Sequence, residues 1–67
     1  MLTVAMVAGR VGNIYAERLD NEAAHSAEDK LHQDVLKAIA NGECEDPAAC
    51  AQQALMTQGI DFERWYA

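Results

Sequence analysis

Four residues in the middle of the chain, Glu22, His25, Asp29 and His32, have side chains and a spacing that could do chemistry. They read E-x-x-H and then D-x-x-H seven positions on, and a carboxylate with a histidine three residues later is how helices present ligands to metal in carboxylate-bridged bundles. Such sites draw their pairs from different helices. On one continuous helix these two pairs would stand about 10 Å apart along the axis, so a dimer would have to bring them together. The competing account is capping and solvated polar side chains around a helix break. A metal-binding helical protein is therefore one reading of function that stays open.

Cys44 and Cys50 are six residues apart, a spacing that belongs to neither a redox dithiol motif nor a zinc site. A small bridge across a helix start is conceivable if the chain is oxidised. Neither cysteine has a well-placed histidine, and Ser26 has no evident base beyond its neighbour His25. Paired carboxylates are merely frequent in an acidic chain. The expectation is a protein that is not an enzyme and carries no cofactor.

The C-terminal run Ile60-Asp61-Phe62-Glu63-Arg64-Trp65-Tyr66 holds three of the four aromatic residues. Aromatic side chains and arginine dominate binding hot spots, which makes Phe62, Arg64, Trp65 and Tyr66 candidates for holding a partner. The same residues can instead plug a core left thin by alanine-rich helices.

These residues must be positioned by helices. From Thr3 to Ala24, a turn of about 100° per residue separates a polar side, Thr3, Arg10, Asn13, Glu17, Asp20 and Asn21, from an apolar one, with Met6 the single sizeable apolar residue on the polar side. The apolar side has two stripes. One is Val4, Val7, Val11, Ile14, Tyr15 and Leu19; the other, Ala5, Gly9, Gly12, Ala16 and Ala23, has almost no side-chain volume. Each helical glycine costs roughly 1 kcal/mol relative to alanine, so their alignment points to a neighbouring backbone, and Ala5, Gly9, Gly12 and Ala16 become the candidate self-association surface. Two rivals exist for this stretch. Val-Ala-Gly-Arg-Val-Gly has Val7 where the first glycine of a dinucleotide-binding turn belongs, and a strand from Leu2 to Val7 turning at Gly9 to Asn13 would suit the Val and Thr content.

After Ala24 the register shifts, because Leu31, Val35, Ala38 and Ile39 form a stripe rotated away from the first. Ser26 with Asp29 reads as an N-cap with its capping-box acid, placing a second helix at about 27–41 that ends with Lys37 and a left-handed Gly42. An unbroken helix with Val4, Val11, Arg18, His25, His32 and Ile39 in a coiled-coil seam is the alternative, at the expense of burying Arg and His. Asp46-Pro47 opens a third helix, about 47–58, in the usual order of cap and first-turn proline, and its mostly small face of Ala48, Ala51, Ala54 and Leu55 suits close approach to the first. Gly59 ends it, and Asp61 is placed to cap a short terminal turn.

At 67 residues the chain is one small helical domain, 1–67, near the lower limit for folding alone, so a helical homodimer is expected. The fold class is all-α: helices at about 3–24, 27–41 and 47–58 plus a short C-terminal helical turn. The net charge is −6, and all of that excess falls between Glu17 and Asp46. A basic footprint is missing, which argues against direct nucleic-acid binding, while charged residues in the first helix leave no membrane span. No secretion signal is legible, so the expected location is cytoplasmic, with reduced thiols. The acidic loop Glu43, Glu45 and Asp46 is the candidate surface for a basic protein partner, including another protein's nucleic-acid site. The leading functional expectation is a small acidic regulator or inhibitor that occludes a partner. A purely self-assembling structural module is the third reading.

Overall fold

Thr3 opens the first helix by accepting a hydrogen bond at its hydroxyl from the Met6 amide, 3.1 Å. In the computed structural model, which describes residues 1–64, three helices follow: α1 (Val4–Ala16), α2 (Asn21–Ala40) and α3 (Pro47–Leu55). A 3₁₀ turn, Met56–Gly59, continues α3. The protein is all-α, and among the described residues the only β pairing is one isolated parallel bridge between Leu2 and Cys44. No described helix is long and apolar enough to cross a membrane.

The first break falls earlier than the sequence reading places it. α1 stops at Ala16, and α2 is already under way at Asn21, so the boundaries near 24 and 27 are corrected to 16 and 21. Asp20, rather than Ser26, is the N-cap: its carboxylate accepts from the Ala23 amide at 3.2 Å. The intervening residues tighten into i→i−3 bonds, Arg18 to Tyr15 and Asp20 to Glu17, and the Arg18 guanidinium closes on the Tyr15 carbonyl at 2.9 Å. Starting α2 here puts Ala24, Glu28, Leu31 and Val35 on one buried face at helical spacing and leaves Ser26 exposed. The small residues Ala23 and Ala24 suit either register, which hid the boundary. The break also rules out the continuous coiled-coil helix, and the helical course through Gly9 and Gly12 rules out the strand and the dinucleotide turn.

The end of α2 carries a full Schellman motif. Gly42 takes φ +68°, its amide donates to the Ile39 carbonyl at 3.2 Å, and the Glu43 amide donates to Ala38 at 2.8 Å. Asp46 then caps α3 through the Ala49 amide at 3.1 Å, with Pro47 in the first turn. Beyond Gly59, Ile60 to Arg64 run without helical structure, so the terminal turn expected after Asp61 is replaced, over the described residues, by a strap folded back on the bundle.

Val7, Ile14, Ala24, Leu31, Val35, Cys50, Ala54 and Phe62 make the core, with Val4, Val11 and Ile39 packed against it. The small stripe of α1 takes no part in it. Ala5, Gly9, Gly12 and Ala16 are all exposed, and a Cβ placed on Gly9 or Gly12 would meet nothing within 4 Å. α3 does pack on α1, but not through the glycines as the matching small faces had indicated. In the dilute chain Gly9→Ala and Gly12→Ala should each therefore stabilise by about 0.5–1 kcal/mol, while Gly42→Ala, forced into positive φ, should destabilise by about 1 kcal/mol. Urea unfolding of the three variants checks this, and a loss of stability at Gly9 or Gly12 would mean that another backbone lies on the stripe.

Candidate functional site

The metal-like quartet is dispersed by the fold. His25 faces Asp29 one turn on, Nε2 to Oδ2 3.5 Å, and Glu22 stays exposed in the first turn of α2. His32 turns the other way, its Nε2 3.1 Å from the Ala54 carbonyl and 3.0 Å from the Thr57 hydroxyl. A carbonyl only accepts, so Nε2 carries the proton in this arrangement. Among the described residues no three His, Cys, Asp or Glu side chains converge in a way that could hold a metal ion.

His32 belongs instead to a polar network at the seam of α2, α3 and the strap. Thr57 is fully buried and donates to the Ala54 carbonyl at 3.1 Å. Glu28, also buried, receives Arg64 in a forked pair, Nε to Oε1 2.8 Å and Nη2 to Oε2 3.0 Å. The same guanidinium donates to the carbonyls of Thr57, Ile60 and Phe62 and lies over the Phe62 ring, 3.8 Å from its centre. Burial by itself would raise the Glu28 carboxyl, but the hydrogen bonds from Arg64 and its positive charge outweigh it and hold it below the ordinary range. This network was missed in the sequence, where Arg64 read only as a hot-spot residue.

The candidate partner-binding residues consequently divide. Phe62 is buried in the core and Arg64 is engaged with Glu28, so both serve the fold; Trp65 and Tyr66 lie outside the described residues. Glu43, Glu45 and Asp46 are exposed together on the α2–α3 loop, although Asp46 is occupied as the cap of α3. That loop is held on both sides by the N-terminus: the Leu2 amide donates to the Glu43 carbonyl and the Glu45 amide to the Leu2 carbonyl, each 2.8 Å. At the other end of α1, about 20 Å away by helical rise, the surface is mostly apolar, although Arg18 and Asp61 also line it. There a groove of ≈ 840 Å³ runs between α1 and the 3₁₀ turn, with Gly12, Tyr15, Leu19, Met56 and Ile60 among its walls. Leu19 is 92% exposed, Met56 61% and Tyr15 51%, so the wall is largely uncovered. On the polar side, Asp34 receives Lys30 (3.0 Å) and Arg10 (2.9 Å), which lower its carboxyl; the Arg10 contact ties α1 to α2.

Comparison with protein-family models, with curated proteins and with solved structures gave no match, so the surfaces are read from their chemistry alone.

Both Glu28 and Asp34 are depressed in the folded state, so their contribution is complete above the unfolded carboxyl range, near pH 4.3, and is lost as pH falls through their folded values. Thermal melts of the wild type should be level near neutrality and fall steeply in acid. Glu28→Gln should lose about 3 kcal/mol at pH 7 by leaving Arg64 uncompensated, and its acid limb should be shallower than the wild type's.

Proposed function

We propose that this protein acts without catalysis, as a small acidic regulator or inhibitor that binds another protein and occludes a basic surface, such as a nucleic-acid-binding one. The observation that carries the reading is the pairing of exposed Glu43 and Glu45 with a backbone pinned by Leu2, the Gly42 turn and the Asp46 cap. A charged surface already held in place loses little entropy when it docks, and acidic groups on an exposed loop steer a basic partner. The location that suits such a role is the cytoplasm. The uncovered groove and small stripe on α1 support a second element of the proposal, a homodimer joined through Ala5, Gly9, Gly12 and Ala16, with Tyr15 and Leu19 beside the seam.

Charge reversal tests the first element. Glu43→Lys with Glu45→Lys should leave the melting curve nearly unchanged, because neither side chain caps a helix, yet should abolish retention of partners that the wild type captures from host extract at low salt and releases as salt rises. The same partners retained by the double variant would overturn the acidic-surface reading. Asp46 is left intact, since its loss would remove a cap worth about 1 kcal/mol.

Sedimentation tests the second. Gly9 and Gly12 are exposed and a Cβ on either meets nothing within 4 Å, so with Gly9→Leu and Gly12→Leu the helical signal should persist while the dimer dissociates. An unchanged mass in solution would remove the stripe from the interface.

A further inference from the structure

A second groove, of ≈ 290 Å³, lies between α2 and α3 and leads to the acidic loop that joins them. Val35 and Ala54 are its buried floor, Leu36 and Leu55 its rims, and Ile39 and Ala51 line the end nearer the loop. His32 stands at the far end with its Nε2 turned to the Ala54 carbonyl and the Thr57 hydroxyl, so every other side chain in the wall is aliphatic. Leu36 is 66% exposed and Leu55 54%, and neither is packed on the core among the described residues. Large apolar side chains gathered along one open groove mark a docking surface.

The charges that face this groove are acidic. Glu43 and Glu45 are exposed at its loop end. At about 100° per residue Asp29 falls beside Leu36 on α2, and it is still more than half exposed next to His25. Lys30 and Lys37 fall on the side of α2 away from the groove, where Lys30 bonds to Asp34. The Arg64 guanidinium, one turn beyond His32, is committed to Glu28. The other helix adds no charge, since Pro47 to Ile60 holds no Asp, Glu, Lys or Arg.

We infer that the groove between α2 and α3 receives a basic amphipathic helix of another protein, with its apolar face between Leu36 and Leu55 and its Lys or Arg side chains on Glu43 and Glu45. The inference rests on the acidic-surface reading of the loop and adds the shape of the segment that the loop helps to hold. From His32 to Ile39 the groove runs about 10 Å along α2, two turns of a partner helix, so apolar residues at i, i+3 or i+4, and i+7 fill it. A small apolar molecule would stay wet there, because both rims are open. A second copy brings a net charge of −6 to the same acidic end, and an anionic lipid surface is repelled in the same way.

The test titrates the full chain with a synthetic peptide of about four helical turns, leucines at i, i+4 and i+7 on one face and lysines on the other, read by circular dichroism and by NMR of side-chain methyls. The peptide should gain helix on binding, and its affinity should fall as salt rises. Methyl shifts should concentrate at Val35, Leu36, Ile39, Ala51 and Leu55 rather than at Val11, Leu19 and Met56 of the α1 groove. Leu36→Gln with Leu55→Gln keeps the charge and alters only exposed positions, so the fold should persist while binding weakens at least about tenfold. A peptide with glutamate for every lysine should not bind. The methyl shifts are read on the wild type, so they decide the question whether or not the double variant folds. Full binding by the glutamine variant, with loss only on charge reversal at Glu43 and Glu45, would overturn the groove and leave the acidic-surface reading standing. No binding, shifts at the α1 groove, a bound peptide without helix, or a wild-type oligomer that dissociates in the glutamine variant would each overturn the inference as well, the last by showing a second copy in the groove.

Discussion

The forked pair between Glu28 and Arg64 is the constraint on which the rest of the arrangement depends. Among the described residues the core holds few large side chains, and two of its eight members are alanines, so the helices alone leave space at one end of the bundle. Phe62 fills that space, and it reaches the core because the strap after Gly59 is turned back and held by Arg64. A buried carboxylate is tolerable only when paired and hydrogen-bonded, and Glu28 meets both conditions through a residue 36 positions away. The guanidinium also donates to the Thr57 and Ile60 carbonyls at the end of the 3₁₀ turn, so one side chain closes the helix end and seats the aromatic ring.

That arrangement gives the two ends of the molecule different characters. At the loop end, Leu2 bonds to both sides of the acidic turn, so Glu43 and Glu45 are presented on a fixed backbone. At the strap end, Leu19 and Met56 stand uncovered because α1 stops short and the chain reverses through Glu17 to Asp20. Had α1 continued to Ala24, Leu19 would have extended the apolar stripe of Val11 and Tyr15. The turn instead leaves it facing solvent beside the groove, and the exposed apolar surface follows directly from the position of one N-cap.

Sequence reading and structure agree where the determining chemistry lies within a turn or so of chain. Thr3 at the start of α1, Asn41-Gly42 at the end of α2 and Asp46-Pro47 at the start of α3 act through caps and a single positive φ, so residue type at each position is enough. The same logic misplaced the first break because two valid caps, Asp20 and Ser26, lie six residues apart and the residues between them have little apolar pattern. The acidic loop was legible as a charged turn. Its anchoring by Leu2 was not, because a backbone pairing across some forty residues has no signature in side-chain order.

What the sequence determined by itself was thus the all-α class, the number of helices, the N-cap of α3 and the sign of the surface, since these rest on periodicity, composition and contacts only a few residues long. The tertiary structure alone decided that Asp20 starts α2, that the glycine stripe faces outward, that His32 turns to Thr57, and that Phe62 and Arg64 fold back on the bundle. Each of those depends on which distant groups share a buried volume. Local propensity can permit such a pairing, but only packing, with its penalty for unpaired charge, selects it.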